Sequence, residues 1–160
     1  MLFILAGAIV QSCGIYSFSG ASIEPGTKTV KIEYFPNNAP IVAPILSQVF
    51  TEKLQDKFVN ETGLELIQEQ ADLNFSGSIT NYNVTPVASG GDDIAGLNRL
   101  TIGVQVKYIN TLKEEEWSQS FSRFDDFDKN TNLKDIEDEL VNEISQQIVD
   151  DIFNKALVNW

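Results

Sequence analysis

The sequence predicts an α+β fold, a two-layer sandwich in which two helices pack on one face of a mainly antiparallel four- to five-stranded sheet. Two patterns carry this prediction. Several segments alternate apolar and polar residues, and this period of two is typical of half-buried strands. Two other segments repeat apolar residues every four positions, which is typical of amphipathic helices. One apolar face per strand and one apolar stripe per helix are buried together when the two layers stack.

The strand pattern occurs in several segments between the two helices and once before them. In order, the predicted strands cover residues 29–35, 64–68, 72–84, 100–108 and 116–124. The clearest alternation is that of 100–108, where leucine, isoleucine, valine and tyrosine alternate with threonine, glycine, glutamine and lysine. Short links between the later strands predict an antiparallel meander, with a loop over 85–96. The second face of this sheet is polar, so we expect it to meet water or a polar partner surface.

Both predicted helices carry a broad apolar stripe. The first covers 42–62 and repeats large apolar residues every four positions, at Leu46, Phe50, Leu54 and Phe58. Gly63 follows it, where a left-handed helix end favours glycine. The second covers 133–160 and repeats isoleucine, leucine and alanine at the same spacing. We interpret both stripes as core packing, and the acidic residues between them as a solvated surface.

The N-terminal segment suggests a lipoprotein signal. An apolar run over Leu2–Val10 is too short to span a bilayer, which takes roughly 20 residues, but it has the length of the apolar core of a secretory signal. It precedes Cys13, the single cysteine of the chain. We therefore predict a signal segment over residues 1–12, a lipidated tether over 13–26 and a single domain over 27–160.

Cys13 is the expected attachment site of a diacylglycerol and an acyl chain, and two or more chains anchor a protein stably to a membrane. The alternative is that Cys13 packs as a small buried hydrophobe within an ordinary strand or helix. A single thiol in a secreted chain has no disulfide partner, and this favours lipidation. The uncharged residues that follow the cysteine carry no acidic tag that would direct the protein to the cell surface.

Composition excludes several classes of function. The chain has 11 lysines and arginines against 23 aspartates and glutamates, so its net charge is -12. Binding of nucleic acid requires clustered basic residues, so we expect no nucleic-acid partner. The chain contains no histidine, which removes the usual base for nucleophilic catalysis and the common zinc ligand sets. With no glycine-rich phosphate loop either, we predict a protein that is not an enzyme and has no cofactor.

One acidic segment has the spacing of a calcium-binding loop. Asp126, Asp128, Asn130 and Glu137 fall at the offsets that supply calcium ligands. Thr131 stands where the sharp turn of such a loop requires glycine, and a strand precedes the segment in place of a helix. Turns and helix caps use the same residue types. Calcium binding is therefore a hypothesis with a simpler alternative, and no metal is assigned.

Several strings of the sequence, taken in order, resemble a known family. They are CGIYSFSGASI, TVKIEYFPNNAP, LSQVFTEKLQDKF, NRLTIGVQVKY, SQSFSRF and EDELVNEISQQIVDDIFNKALVNW. In this order, starting at the cysteine, they resemble a diverged branch of the LptE family of lipopolysaccharide-assembly lipoproteins. The resemblance covers nearly the whole chain after Cys13. It rests on the order of the strings, since none of them is a chemical signature.

This resemblance implies a lipid-anchored protein on the periplasmic side of the outer membrane. It further implies a 1:1 partnership with an LptD-type barrel, which the protein plugs and helps to assemble for delivery of lipopolysaccharide to the outer leaflet. Lipopolysaccharide contact through basic residues is also implied, and Arg99, Lys107 and Arg123 are the candidates here. The alternative for these three residues is ordinary solubilising charge. The alternative function is a periplasmic carrier of lipid or another ligand without a barrel partner, which would need an apolar pocket.

Overall fold

The computed structural model describes residues 23–41, 43–87 and 96–157. Its elements in chain order are β1 Thr29–Ile32, α1 Leu46–Thr62, β2 Glu65–Leu66, β3 Leu73–Val87, β4 Leu97–Asn110, β5 Glu115–Asp128 and α2 Leu133–Leu157. The five strands form one open sheet in the order β2-β1-β3-β4-β5, and the two helices pack on it. The predicted α+β two-layer fold is thus confirmed. Neither described helix is long and apolar enough to cross a membrane.

The sheet is mixed. The long strands β3, β4 and β5 form the predicted antiparallel meander, with β4 in the middle. The short strand β1 pairs in parallel with both β2 and β3. Because β1 and β2 are four and two residues long, most of the pairing is antiparallel.

The structure moves several predicted boundaries. Helix α1 begins at Leu46, four residues after the predicted start, because Pro44 disfavours helical geometry in the residue before it. Strand β1 ends at Ile32, before the predicted Phe35. Strand β3 continues through Pro86 into the predicted loop. Proline fits there because β1 has already ended, so the missing N–H of Pro86 faces no neighbouring strand.

A clasp of hydrogen bonds ties the start of β1 to the start of β3. The Asp72 carboxylate accepts from the backbone N–H groups of Lys28, at 2.8 Å, and Thr29, at 3.0 Å, and from the Thr29 hydroxyl at 2.9 Å. The Asp72 N–H donates in return to the Thr29 hydroxyl at 3.0 Å. These bonds to the charged carboxylate lower the pKa of Asp72, since they favour its ionised form. The clasp fixes the parallel register of two segments that are far apart in sequence.

A row of aromatic rings joins both helices to the sheet. Phe58 of α1 lies 5.2 Å from Phe153 of α2 and 4.6 Å from Phe75 of β3, measured between ring centroids. The row continues from Phe75 to Tyr108 at 4.9 Å and from Tyr108 to Trp117 at 5.0 Å. Aromatic pairs at these distances are worth about 1 kcal/mol beyond their area burial. The row therefore places both helices on the same face of the sheet.

Replacing Phe58 by alanine removes the ring that contacts both α2 and β3. Because Phe58 is fully buried, we expect Phe58→Ala to lower the free energy of unfolding by about 3–5 kcal/mol. The control is Val59→Ala on the exposed side of the same helix, which should cost less than about 1 kcal/mol. Urea unfolding followed by circular dichroism measures both. Equal effects of the two substitutions would contradict the aromatic row.

The Asp72 clasp predicts a pH-dependent loss of stability. A carboxylate whose pKa is lowered by folding stabilises the folded state above its unfolded pKa of about 3.9, and this stability is lost as pH falls through the lowered value. At pH 7, Asp72→Asn should therefore lower the free energy of unfolding by about 1–2 kcal/mol. At pH values below the folded pKa of Asp72 the two proteins should differ little. A difference that stays constant from neutral to acid pH would show that the charge is not involved. Thermal unfolding at a series of pH values makes the comparison.

Candidate functional site

Within residues 23–41, 43–87 and 96–157, one face of the sheet carries no helix, and we call it the open sheet face. Side chains alternate along β3, β4 and β5, so every second residue points away from both helices. Most of these residues are small or polar: Asn74, Ser76, Ser78, Asn81 and Asn83 from β3, Thr101, Gln105 and Lys107 from β4, and Ser118, Ser120 and Ser122 from β5. This face spans three long strands and is a candidate surface for binding, and its polarity agrees with the sequence prediction.

Hydrogen bonds organise the centre of the open sheet face. The Gln105 amide donates to the Ser118 hydroxyl at 2.9 Å and accepts from the Ser120 hydroxyl. The Ser122 hydroxyl donates to the Ile102 carbonyl at 3.0 Å. These side chains thus lie across β4 and β5 and hold each other in place. The result is a flat surface that offers hydroxyl and amide groups with little charge.

Arg99 lies near one end of the open sheet face in a fixed geometry. Its guanidinium donates two hydrogen bonds to the Asp126 carboxylate, at 2.7 and 2.8 Å. The guanidinium also stacks over the Phe124 ring, 3.6 Å from the ring centroid. The bidentate contact lowers the pKa of Asp126 and raises that of Arg99, since each charge stabilises the other. Arg99 is therefore already neutralised by a partner within the protein.

Phe124 was not predicted as part of a site. Like Ser118, Ser120 and Ser122, it is an even-numbered residue of β5, and alternate residues of a strand point to the same face. Phe124 therefore lies on the open sheet face, where 49% of it is exposed. An aromatic residue in phase with three serines breaks the pattern of the strand. In the sequence, this break in the pattern could have predicted an apolar side chain on an otherwise polar face.

The other two predicted lipopolysaccharide contacts also have acidic partners. Lys107 pairs with Glu116 at 2.8 Å on the open sheet face. Arg123 donates to Asp151 of α2, at 2.6 and 2.7 Å, on the helix side of the sheet. Arg99 and Lys107 are eight residues apart in β4, which corresponds to roughly 26 Å. The structure thus does not gather Arg99, Lys107 and Arg123 into one basic site, and their contact with lipopolysaccharide stays a prediction.

The residues of the predicted calcium loop have other partners. Asp126 binds Arg99, and Asp128 accepts from the Asn130 backbone N–H at 2.7 Å. Glu137 accepts from the Tyr82 hydroxyl at 2.6 Å, and burial together with this contact raises the pKa of Tyr82. Within residues 23–41, 43–87 and 96–157, no three acidic or thiol side chains cluster as metal ligands. The geometry therefore does not support the calcium hypothesis.

The space between the helices and the sheet is filled by side chains. The enclosed cavity beside Tyr108 has a volume of about 30 Å³ and is bordered by the polar residues Glu24, Asn110 and Lys113. A cavity of this size holds about two water molecules, far less than an acyl chain requires. Burial raises the pKa of Tyr108 to about 12. The described core thus resembles a solid support for the open sheet face.

The predicted signal segment and Cys13 lie outside the described residues. The tether over 13–26 is described only from Ile23, where the chain approaches the sheet. Glu24 forms an ion pair there with Lys113, at 2.9 Å. Lys113 lies in the turn between β4 and β5. The tether therefore meets the domain at the end of the sheet where this turn lies.

Comparison with solved structures shows the fold in two bacterial proteins with TM-scores above 0.5, and a third structure is similar at a lower score. A hypothetical protein of Chlamydia trachomatis is 11% identical, with a TM-score of 0.56, covering 83% of this chain and 99% of that one. A protein of Xanthomonas campestris is 10% identical, with a TM-score of 0.55, covering 86% and 90%. A minor lipoprotein of Acinetobacter baumannii is 13% identical, with a TM-score of 0.49, covering 82% and 96%. At these identities the likeness concerns the fold alone.

Comparison of the sequence with families and with curated proteins gives one positive result. The curated proteins contain no match to the chain. The family model described as "LptE: Lipopolysaccharide-assembly" matches residues 27–156. This range includes all five strands, all of α1, and α2 up to Ala156. The chain therefore belongs to the LptE family of lipopolysaccharide-assembly proteins.

Proposed function

We propose that this protein is a non-enzymatic outer-membrane lipoprotein that plugs an LptD-type barrel and helps to assemble it. In this role it supports the delivery of lipopolysaccharide to the outer leaflet as one member of a 1:1 complex. Membership of the LptE family supports the part in lipopolysaccharide assembly. The observation that carries the plug is the open sheet face, a broad polar surface without a covering element.

The chemistry of the open sheet face suits the lumen of a barrel. Large outer-membrane barrels are polar inside and apolar only on the lipid side. A plug surface must therefore offer hydrogen-bonding groups and only a few large apolar side chains. The serines and amides of β3, β4 and β5 meet that requirement, and their mutual hydrogen bonds keep them ordered before contact. Ordered polar groups lose less conformational entropy on binding than mobile ones.

The proposed lipid anchor at Cys13 would keep the domain close to the membrane. Ile23 follows Cys13 by ten positions, and a fully extended chain of that length reaches at most about 35 Å. Lipid chains on Cys13 would therefore hold the domain within a few tens of ångströms of the inner surface of the outer membrane. That reach is comparable with the depth of a membrane-embedded barrel.

A carrier of lipid without a barrel partner is less well supported. Such a protein buries most of its ligand in a pocket of about 300–1,000 Å³ lined mainly by apolar groups. The enclosed cavity beside Tyr108 holds about 30 Å³. A groove of about 470 Å³ between β5 and α2 is large enough, but its lining is mostly polar or charged and Phe121 is its one large apolar side chain. The solid core therefore favours a protein that acts through its surface.

Mild detergent extraction of the tagged full-length protein tests the plug. We expect a large barrel protein to co-purify at equal stoichiometry, identified by mass spectrometry. Ser118→Arg combined with Ser122→Arg should reduce the co-purified barrel at least tenfold, because two bulky charges on the open sheet face obstruct contact. The matched control, Asn142→Arg with Gln146→Arg on the exposed side of α2, should retain it. A lone lipoprotein that carries bound lipid would contradict the plug and favour the carrier.

Binding of lipopolysaccharide by the basic residues has a separate test. Asp126→Asn removes the charge that neutralises Arg99, so the freed guanidinium should bind phosphate severalfold more tightly. Charge reversal at Arg99, Lys107 and Arg123 together should weaken binding at least tenfold. The control is Glu52→Gln on the exposed side of α1. Titration of purified protein with lipopolysaccharide, followed by calorimetry, measures all three variants. Unchanged affinity in both the Asp126 and the triple variant would remove these residues from the site.

A further inference from the structure

Among the described residues strand β5 forms an edge of the sheet, and the register shows which of its backbone groups have no strand partner there. The Lys129 N–H donates to the Gly96 carbonyl at 2.9 Å, directly beyond the pair Leu97 and Asp128. In an antiparallel ladder every second residue bonds to the same neighbour, so the odd-numbered residues of β5 bond to β4. The even-numbered residues direct their N–H and C=O groups to the open edge, and the central ones are Ser118, Ser120, Ser122 and Phe124.

This edge lacks several of the features that prevent strand addition. Natural edge strands are blunted by short length, proline, a bulge or charged side chains, especially lysine, and of these β5 has only the charged side chains of arginine, aspartate and glutamate. The opposite edge of the sheet is blunted in this way, since β2 has two residues. Strand β5 has 14 residues, contains no proline or lysine and pairs with β4 without a register shift. The N–H of Asp126 is capped by the Asp125 carboxylate at 2.8 Å, so the open stretch ends at Phe124.

A groove beside the edge has room for the side chains of an added strand. It lies between β5 and α2, has a volume of about 470 Å³ and is lined by Gln119, Phe121, Arg123, Asn154 and neighbouring residues. Every second side chain of a strand added to β5 would enter this groove, because neighbouring strands share the alternation of faces. The other side chains would extend the open sheet face. The edge and the groove together thus match an extended polypeptide.

The charge around the edge indicates which polypeptide fits. The Asp125 side chain faces Glu143 of α2, and the interaction between these two acidic groups raises the pKa of Glu143. Glu139 adds a third acidic group nearby. A lysine or arginine on an added strand, opposite Asp125, would neutralise this crowding. A second copy of the chain would bring another net charge of -12, so pairing of two β5 edges is disfavoured.

We propose that the edge of β5 from Ser118 to Phe124 accepts an extended segment of the barrel partner as a sixth strand, with a lysine or arginine opposite Asp125. This inference rests on the proposed function. The strands of a closed barrel have no free edges, so the segment comes from a loop or a terminus of the partner. Main-chain hydrogen bonds supply the affinity in this mode of recognition, and the charge at Asp125 supplies selectivity.

Proline at an edge position tests the proposal in the full-length lipoprotein. Ser120→Pro removes an N–H that faces the open edge and places a ring in the path of an added strand, while the bonds of β5 to β4 remain. The matched control is Ser120→Ala, which removes the hydroxyl and keeps the N–H. We expect Ser120→Pro to reduce the barrel that co-purifies in mild detergent at least tenfold relative to Ser120→Ala, because both variants lose the hydroxyl and only the proline variant loses the edge N–H. Equal recovery with both variants would overturn the proposal.

A second pair of variants decides the matter if Ser120→Pro unfolds the domain, which thermal unfolding would reveal. Asp125→Lys leaves the backbone intact and places a cation beside Glu143, so we expect a folded protein that binds the barrel at least fivefold less. The control Asp125→Glu should bind as the wild type does. Barrel recovery unaffected by Asp125→Lys would overturn the proposal and leave the proposed function standing. If no barrel co-purifies with the wild-type protein, both the strand-addition proposal and the proposed function are wrong.

Discussion

The packing of both helices on one face of the sheet is the constraint on which the rest of the structure depends. The ring of Phe58 contacts both α2 and β3, and the row of rings from Phe153 to Trp117 extends this contact across three strands. Burying one face in this way leaves the opposite face without a cover. An uncovered face must be polar in a domain that is exposed to water. The polar surface proposed here for partner binding is thus a direct consequence of where the helices lie.

The sequence predicts which residues share a face far better than it predicts which strands are neighbours. A period of two assigns each residue of β3, β4 and β5 to a side of the sheet, because that period is a local property of the chain. The parallel placement of β1 between β2 and β3 depends on Asp72 and Thr29, 43 residues apart. No local pattern encodes that contact. Nor could the pattern predict that β3 continues through Pro86, since this depends on the absence of a neighbour on that side.

The candidate site was predictable to a similar extent. Its serines and amides could be predicted from the alternation of the strands. In β5 the alternation that turns Phe121 towards the helices turns Ser120 and Ser122 towards the open sheet face. That alternation also places Arg123 with Phe121 on the helix side of the sheet. The acidic partners of the three basic residues were not predictable, since Arg99 and Asp126 meet only through the pairing of β4 with β5. In a chain with this excess of acidic residues, each of these cations finds a carboxylate within reach.

The acidic charge and the open edge of β5 have complementary effects. A long exposed edge without proline or lysine is a template for association with any extended chain, including another copy. Two copies with a net charge of -12 each repel one another. Repulsion of this kind discriminates among partners, because it penalises the wrong strand more than it favours the right one. The charge of the protein can therefore protect an edge that its backbone leaves open, and it does so without blocking a partner that carries basic residues.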